Sequence, residues 1–346
     1  MRLLSAIQPF ACARPAYEAT MRALLVVLLV LVLVPGWTGA VRLDLLGRDA
    51  RIEARRVLLD PHDPYRTRVG ALTFLGGVSL TSPDPAFGGF SSVNIHGERF
   101  TLLSDGGNAV SFRLDDRWRI SEPRFANLPG GPGTGWQKED RDSESMATDP
   151  ATGRVWVGFE NANAIWRYAP DFTRAERFAT PPAMAKWYAN LGAETLVRRR
   201  DGSFLVLSES AEPGSHGKHV GLIFRGDPTE DARAALTFAY RPPRHYDPSD
   251  AAELLDGRLV VVNRRFQPPY RFLTTLTVVE RADIKPGAVV KGRVIATLAP
   301  PLIHDNFEGV AVTRKQGATI LWLVSDDNQF PLQRSLLLKF RLDPGA

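Results

Sequence analysis

Charged or polar residues recur in pairs along this sequence, and their types favour metal chemistry. In each pair one residue opens a short apolar segment and the other closes the next segment, 14 to 18 residues later. The pairs are Ser91 with Asp105, Glu144 with Glu160, Glu194 with Glu209, Asp250 with Arg264, and Glu308 with Asp326. Clustered carboxylates repel one another, so they need bound cations, raised pKa values, or both. Carboxylate oxygens suit hard cations, chiefly Ca²⁺, and every acidic member of these pairs is a predicted metal ligand.

The same acids fit a second interpretation, in which each carboxylate caps a loop or pairs with a neighbouring arginine. Glu144, Glu194 and Glu308 each stand just before apolar residues that have the character of a buried strand. An acid that enters a buried strand is costly unless it is paired or coordinated. This argument favours cation binding, and capping stays open as the alternative.

A repeat of hairpins must position these residues. Five segments share one order of features: a short apolar strand, a turn that contains glycine, a stronger β segment, a loop and a third strand. The segments begin at Phe90, Ser143, Ala193, Ser249 and Phe307. Turns of the Asp-Gly type between apolar segments are typical of hairpins, because glycine accepts positive φ. Alignment on Ser91, Glu144, Glu194, Asp250 and Glu308 gives a period of 50 to 58 residues.

That period is typical of a β-propeller blade. We predict an all-β fold, a β-propeller of five or six four-stranded blades. Fourth strands are expected at Arg174–Thr180, Ala235–Arg241 and Arg293–Leu298. Arg68–Leu80 is expected to close the ring, because the last unit ends at Leu342 without an outer strand. The start of the first strand lies beside the end of the second in a hairpin, so the paired charges should converge on one mouth of the ring.

The N-terminal region has the pattern of a targeting segment. An apolar stretch, Ala23–Val34, follows Met21-Arg22 and precedes small residues. This stretch is shorter than the ~20 residues that a membrane-spanning helix needs, so it fits a secretory signal peptide with cleavage after Ala40. Met21 is a candidate start residue, and an uncleaved anchor is the alternative. We therefore expect a targeting segment at residues 1–40, an N-terminal lead-in at 41–67 and a folded domain at 68–346. The folded domain is expected in the periplasm or outside the cell.

Composition narrows the classes of partner. The net charge is +5, and the first forty residues contribute +2 of it. No clustered basic stripe is present, which argues against nucleic-acid binding. A single cysteine, Cys12, excludes an intramolecular disulfide framework. We expect a monomer that acts on a small molecule and meets a membrane only through its targeting segment.

Several short motifs, in order, resemble the esterase-like phytase family of exported bacterial β-propellers. The motifs are Leu103-Ser104-Asp105-Gly106-Gly107-Asn108, Asp142-Ser143-Glu144-Ser145-Met146-Ala147, Gly192-Ala193-Glu194-Thr195, Val206-Leu207-Ser208-Glu209, Asn306-Phe307-Glu308-Gly309-Val310-Ala311 and Leu323-Val324-Ser325-Asp326-Asp327-Asn328. The resemblance covers roughly residues 68–343. It implies a phytase-like propeller domain that hydrolyses an ester, with a phosphomonoester ahead of a carboxylic ester. It is also similar in architecture to calcium-dependent propeller phytases, whose acidic mouth binds Ca²⁺ around the substrate phosphates.

With that resemblance in view, basic residues near the acidic edge become candidates for binding a phosphoester. They are Lys138, Arg141, Lys186, His219 and Arg264. Arg264 could grip a phosphate through two hydrogen bonds, and Glu194, Glu308 and Arg264 are the predicted catalytic residues. In such an enzyme Ca²⁺ would bridge substrate oxygens and lower the pKa of an attacking water. Each basic residue, taken alone, also fits a surface ion pair.

Three functions stay open at this stage. The first is an exported, calcium-dependent phosphoester hydrolase. The second is a non-catalytic propeller that binds a ligand or partner on its acidic face. The third and weaker one is a lactonase-type hydrolase. A serine-hydrolase route lacks its usual Gly-X-Ser-X-Gly motif.

Overall fold

A computed structural model describes residues 21–29, 42–188, 192–211, 214–215, 217–269 and 271–346. The chain divides into two units, residues 1–41 and 42–346. Residues 21–29 are helical, and no helix within the described ranges is long and apolar enough to cross a membrane. The predicted cleavage site and the rest of the apolar stretch lie outside the described residues.

The second unit is built from short strands. In chain order they are β1 (Glu53–Arg56), β2 (Arg68–Val69), β3 (Leu72–Thr81), β4 (Phe90–His96), β5 (Arg99–Ser104), β6 (Asn108–Leu114), β7 (Ile120–Asn127), β8 (Ser143–Thr148), β9 (Val155–Phe159), β10 (Ala164–Tyr168), β11 (Ala175–Ala179), β12 (Ala193–Arg198), β13 (Phe204–Ala211), β14 (His219–Phe224), β15 (Leu236–Arg241), β16 (Asp247–Glu253), β17 (Leu259–Gln267), β18 (Arg271–Val279), β19 (Val289–Lys291), β20 (Arg293–Leu298), β21 (Asn306–Lys315), β22 (Ala318–Asp326) and β23 (Leu336–Leu342). Short 3₁₀ turns occupy Lys138–Arg141, Pro170–Phe172, Pro182–Met184 and Arg281–Asp283.

These strands form five sheets arranged as the blades of a propeller. Blades one to four are β4–β7, β8–β11, β12–β15 with β19 added at the edge, and β16, β17, β18 and β20. Blade five is β21, β22, β23, β3 and β1, with β2 paired to β3. The innermost strands contact one another in the order β4, β8, β12, β16, β21 and back to β4. This closed circuit confirms the propeller and fixes the number of blades at five.

The ring is closed as predicted. Strand β3 pairs antiparallel with β23, from Leu336 opposite Ser79 to Leu342 opposite Leu72, and so supplies the outer strand that the last repeat lacks. Strand β1, from the lead-in region, then extends this sheet. The three predicted fourth strands are confirmed as β11, β15 and β20.

Local sequence explains why each blade folds. At the first hairpin turns of blades three and four, Gly202 and Gly257 have φ values of +85° and +88°, which residues with a side chain rarely adopt. Apolar side chains on the strands then pack between neighbouring blades. Val262 of blade four, for example, belongs to one buried cluster with Phe307 and Leu321 of blade five, and each such side chain stabilises the fold by about 1.5–3 kcal/mol.

The innermost strand of every blade contains a β-bulge near its start. One residue there has no partner in the pairing register of the second strand. The five bulge residues are Ser91, Glu144, Glu194, Ser249 and Glu308. A bulge redirects a side chain and interrupts pairing, so the same backbone device presents Glu in three blades and Ser in two.

The fourth blade departs from the sequence alignment by one residue. The alignment used Asp250, but the bulge residue is Ser249. Asp250 instead accepts N–H hydrogen bonds from Ala251 and, in blade five, from Val310, both at 2.8 Å. The alignment is shifted because Asp250 is the acid next to the bulge residue, whereas its carboxylate joins blade four to blade five.

Candidate functional site

Charged and polar side chains converge where the first strands begin and the second strands end. We call this region the acidic mouth. Its members are Asp105, Asp142, Glu144, Glu160, Glu194, Glu209, Asp247, Arg264, Asn306, Glu308 and Asp326. Pairing places the strand ends side by side: Asp247 lies opposite Arg264, and Asn306 lies opposite Asp326. The predicted convergence of paired charges on one edge of the ring is therefore present.

Blades two and three contribute two groups of carboxylates. Oxygens of Asp142, Glu144 and Glu160 lie within 4.8 Å of one another, and so do oxygens of Glu160, Glu194 and Glu209. Glu160 belongs to both groups. We call Asp142, Glu144, Glu160 and Glu194 the acidic half of the mouth. Within the described part of the chain, none of these four forms an ion pair with a basic side chain.

Neutral donors stabilise the acidic half only in part. Asn161 Nδ2 donates to Asp142 Oδ2 at 2.6 Å, and the backbone N–H of Gly192 donates to Glu160 Oε1 at 3.3 Å. Burial, followed by the nearby charge of Asp142, raises the pKa of Glu160 to about 8. Burial also raises the pKa of Asp142, and it raises those of Glu144 and Glu194 well above their usual range. At neutral pH these carboxyls must hold protons or acquire a cation.

We call a second group of residues the braced half of the mouth. This group contains a cation, Arg264, together with Glu209, Asn306 and Glu308. Arg264 Nη2 donates to Glu209 Oε1 at 2.6 Å, and Nη1 donates to Glu308 and, at 3.1 Å, to Asn306 Oδ1. Asn306 Nδ2 donates to Glu308 Oε1 at 2.7 Å. Burial opposes the guanidinium charge, but Glu308, Glu209 and Glu194 outweigh it and raise the pKa of Arg264.

Two further acids lie between the halves, on blades one and five. Asp105 accepts a 2.5 Å bond from Lys138 Nζ, yet burial still raises the pKa of Asp105. Asp326 accepts the backbone N–H of Asn328 at 2.6 Å. Burial, then the charges of Glu308 and Asp105, raises the pKa of Asp326 well above its usual range.

The other sequence candidates lie around the mouth rather than in it. Arg141 donates to the carbonyls of Pro132 and Asp140, at 2.5 and 3.0 Å, and so holds the loop that carries Lys138. Lys186 is exposed on the loop between blades two and three. His219 is buried beside a side cavity of about 610 Å³.

The His219 ring lies between two acceptors. Its Nδ1 lies 3.2 Å from the Ser208 carbonyl oxygen, and its Nε2 lies 3.5 Å from Asp247 Oδ1. Burial lowers the pKa of His219, so the ring is neutral near pH 7. His219 thus lies at the side of the mouth, beside Asp247, and its role in binding a phosphoester stays a prediction.

Sequence reasoning missed three members of the mouth: Asp142, Asn306 and Asp247. Asp142 is opposite Glu160, whose N–H donates to the Asp142 carbonyl at 2.9 Å. A usable signal was present, because each of the three stands two residues before a bulge residue. An alignment on one position per unit leaves out the residue two places earlier.

Serine chemistry finds no support at Ser143, which lies between two acids of the mouth. Its hydroxyl donates to the Ser104 carbonyl at 2.6 Å and accepts the Gly107 N–H at 3.1 Å. Both bonds tie blade two to blade one, so this oxygen is held in structural hydrogen bonds. The mouth can thus bind cations and exchange protons through carboxylates.

Comparison with known proteins gives one family. The family model for phytase-like proteins, described as esterase-like activity of phytase, matches residues 85–329. This range contains every member of the acidic mouth. No curated protein matches the sequence.

Three of the solved structures similar to this chain have low sequence identity to it. The β-propeller domain of Cps50 (Swd1) from Myceliophteria thermophila is 8% identical with a TM-score of 0.35, and covers 69% of this chain and 63% of its own. This chain therefore spans less than two thirds of that domain. Glutaminyl cyclase from Myxococcus xanthus is 12% identical with a TM-score of 0.42, and covers 74% and 91%. An endo-arabinase from Bacteroides thetaiotaomicron is 8% identical with a TM-score of 0.46, and covers 73% and 94%.

Proposed function

Because the chain belongs to the phytase-like family described by esterase-like activity of phytase, we propose that it is a calcium-dependent hydrolase of phosphoric monoesters. The observation that carries this proposal is the acidic half of the mouth. Four buried or half-buried carboxyls meet there, and among the described residues none of them forms an ion pair with a basic side chain. Such a cluster is stable only when protons or a cation neutralise it.

The donor set fits Ca²⁺. All ligands in the two groups are carboxylate oxygens, which suit a hard cation, and neither group contains a histidine or cysteine that would favour zinc. Glu160 belongs to both groups, so it is the residue on which cation binding depends most. Bound there, calcium would polarise a phosphoryl oxygen and acidify a water molecule.

The protein's own residues have distinct roles in this proposal. Glu194 is 4% exposed, and burial raises its pKa well above its usual range, which makes it a candidate for proton transfer in the mouth. Arg264 already uses both terminal nitrogens on Glu209, Glu308 and Asn306. Glu308 therefore positions the guanidinium and competes with a phosphate for the Nη1 side of Arg264.

The test is release of phosphate from p-nitrophenyl phosphate, measured with Ca²⁺ and with EGTA. Turnover should require Ca²⁺ and should be lost in Glu160→Gln and Glu194→Gln. The matched control is Glu139→Gln, which removes an exposed acid on the same face and should keep its activity. Equal turnover with EGTA, or full activity in both mouth variants, would overturn the proposal.

A second candidate, a non-catalytic cation-binding propeller, is favoured by one observation. Both terminal nitrogens of Arg264 are engaged by the mouth itself, which leaves less positive charge to hold a phosphate. This candidate predicts that Ca²⁺ raises the melting temperature of the protein. It also predicts that the protein hydrolyses no phosphoric monoester, carboxylic ester or lactone. Turnover of any of them would exclude it.

Export is part of the same proposal. The apolar stretch Ala23–Val34 follows an arginine and precedes small residues, as in signal peptides. We expect the protein in the periplasm or the medium, with a new N-terminus after Ala40. N-terminal sequencing of the fractionated protein tests this, and an intact N-terminus in the membrane fraction would support the anchored alternative instead.

A further inference from the structure

A groove of about 860 Å³ lies between blades five and one, on the face opposite the acidic mouth. Its walls come from the β4–β5, β6–β7 and β21–β22 turns and from strands β3, β22 and β23. Turns that follow the first and third strands of a blade lie away from the mouth, because strand direction alternates. Small-molecule sites occupy about 300–1,000 Å³, so the groove is large enough for an organic ligand.

Basic side chains line the wall of this groove that belongs to blade five. Lys315 Nζ donates to Asp116 Oδ1, and Lys339 Nζ lies 4.0 Å from the same oxygen. One carboxylate, with 76% of its side chain accessible, therefore faces two lysines. Arg314 and Arg341 also line the groove, and within the described ranges neither forms an ion pair with an acid.

The other two acids of the lining do not neutralise this charge. Glu98 pairs with Arg113 at 3.4 Å, and Asp115 pairs with Arg119 at 2.9 Å. Both acids therefore have arginine partners of their own in blade one. Asp116 is the acid that is left for the four basic side chains of the lining, so the groove carries a net positive charge.

Two tryptophans hold cations at the groove without neutralising them. Lys339 Nζ lies 4.7 Å from the Trp322 ring centre, and the Arg56 guanidinium lies 4.6 Å from the Trp118 ring centre. The face of an aromatic ring attracts a cation but has no net charge of its own. Only 13% of the Lys339 side chain is accessible, and burial, followed by the charge of Lys315, lowers its pKa. An added anion would stabilise the charged form of such a lysine.

The backbone of β3 accommodates this arrangement. A Cβ atom on Gly76 would lie 2.7 Å from Trp118 Cζ2 and 2.8 Å from Arg56 Nη2, so both side chains can pack there only because residue 76 is glycine. Next to it, a bulge opposite Lys339 leaves Leu75 without a partner in the pairing register. A bulge redirects a side chain, and Leu75 is 40% exposed in the groove. Leu75 and Trp118 therefore offer apolar contact beside the cations.

The spacing of the cations favours a ligand with more than one acidic group. Lys339 and Arg341 are two residues apart on β23, so they share one face of the sheet, about 7 Å apart along the strand. Lys315 and Lys339 meet at Asp116. One carboxylate can therefore bridge the lysines while a second reaches Arg341, whose guanidinium suits a carboxylate through two parallel hydrogen bonds.

We propose that the groove binds a small organic polycarboxylate, a compact carbon skeleton that carries two or more carboxylate groups. The carboxylates contact Lys315, Lys339 and Arg341, and the skeleton lies against Leu75 and Trp118. The chemistry is that of Asp116, whose carboxylate already contacts both lysines. The groove and the acidic mouth are on different faces, so the inference does not depend on the proposed hydrolysis.

The first test is isothermal titration of the whole chain at constant ionic strength, in EGTA to keep calcium from the mouth. The probe is trimesate, a benzene ring with carboxylates at alternate positions, and benzoate is the matched analogue with a single carboxylate. Trimesate should bind at least about tenfold more tightly than benzoate, because its added carboxylates form charge-assisted hydrogen bonds. Pyrophosphate, which has a similar charge but no carbon skeleton, should bind more weakly than trimesate. Absence of trimesate binding, or equal binding of pyrophosphate, overturns the proposal.

The second test locates the site with variants whose melting temperatures show that they are folded. Lys339→Met and the exposed Arg341→Met should each weaken trimesate binding at least about tenfold. The control is Lys285→Met, which removes an exposed lysine from the loop after β18 on the same face and should match the parent.

Asp116→Asn gives the sharpest result. It removes the carboxylate that competes for Lys315 and Lys339, so trimesate should bind more tightly than to the parent. An ion pair that only joins the two blades would give no such gain. The proposal is overturned if Asp116→Asn does not tighten binding, or if Arg341→Met binds trimesate as the parent does.

Discussion

The acidic half and the braced half of the mouth both contain a β-bulge, but the glutamates at these bulges have different partners. In each, a β-bulge presents a glutamate from the start of an innermost strand: Glu144 and Glu194 in one, Glu308 in the other. Glu308 finds Arg264 of the neighbouring blade, whereas the described contacts of Glu144 and Glu194 include no basic group. The protein itself provides a cation for Glu308, whereas Glu144 and Glu194 need a proton or a cation from the solution.

This difference separates structural acids from acids available for function. A buried carboxylate next to a fixed arginine has a counter-charge within the protein, although burial still raises the pKa of Glu308. A buried cluster without a base responds to pH and to cations. Burial alone does not distinguish them, since Glu194 and Glu308 are similarly buried. The side chains that contact each carboxylate do distinguish them. The variants below change those contacts.

The largest expected effect comes from Arg264→Met, which removes the counter-charge of the braced half. Glu209 and Glu308 would then be left with a carboxylate neighbour in place of a cation, at a cost of about 3–5 kcal/mol in free energy of unfolding. Urea unfolding measures the loss, and Arg271→Met, an exposed arginine on the same face, is the control. A loss under about 1 kcal/mol would mean that Arg264 does not brace this half.

Next in size is the loss of calcium stabilisation in Glu160→Gln. In the parent protein, free Ca²⁺ at 100 times its dissociation constant should add about 2.7 kcal/mol to the free energy of unfolding. Glu160→Gln should remove most of this gain, because Glu160 belongs to both carboxylate groups. Melting curves with Ca²⁺ and with EGTA provide the measurement, and Glu139→Gln should behave like the parent. An unchanged calcium response would place the cation elsewhere.

A pH effect should follow from the same residue. Burial and Asp142 raise the pKa of Glu160 from 4.5 to about 8, so between these values the folded state binds more protons than the unfolded state. Stability without metal should therefore fall as pH rises from about 5 to about 8, and added Ca²⁺ should reduce the fall. Urea unfolding in EGTA tests the sign, with Glu160→Gln showing a smaller slope. The prediction is contradicted if the free energy of unfolding of the parent, minus that of Glu160→Gln, rises across this pH window.

The smallest effect is expected for Lys138→Met. The Lys138–Asp105 pair is partly exposed, with 41% of the lysine side chain accessible, so its loss should cost less than about 1 kcal/mol. Removing this base should also make the Asp105 side resemble the acidic half, which isothermal titration would detect as tighter Ca²⁺ binding. Weaker binding would show instead that Lys138 helps to organise the mouth.

Sequence reasoning recovered the architecture because its signals are local and repeated. Glycine turns and apolar segments recur in every unit, and the missing outer strand after Leu342 indicated closure by Arg68–Leu80, which β3 confirms. Contacts between blades were harder to predict. Arg264 was recognised as a base in an acidic position, but its partner Glu308 lies in the next unit, and no period within one unit encodes that contact.

The one-residue error at Asp250 has a related cause. An alignment by residue type follows the acid, whereas the fold conserves the position of the bulge across its own blades, at Ser249. Asp142 is not predicted for the same reason, since it stands just before β8 and outside the repeated strand pattern. The sequence thus indicated an acidic mouth, while the division between its two halves required the geometry.

Closure of blade five also has a consequence for how the chain is made. Strand β3 can pair early with β1 and β2, but its partner β23 is synthesised much later, so one edge of β3 must wait unpaired while the intervening blades form. Pairing between such distant segments is slow, and waiting strand edges invite aggregation. Glu308 and Asp326 lie on the two strands just before β23, so the complete mouth forms only near the end of folding. We therefore expect a nascent chain to depend on chaperones until its last blade emerges.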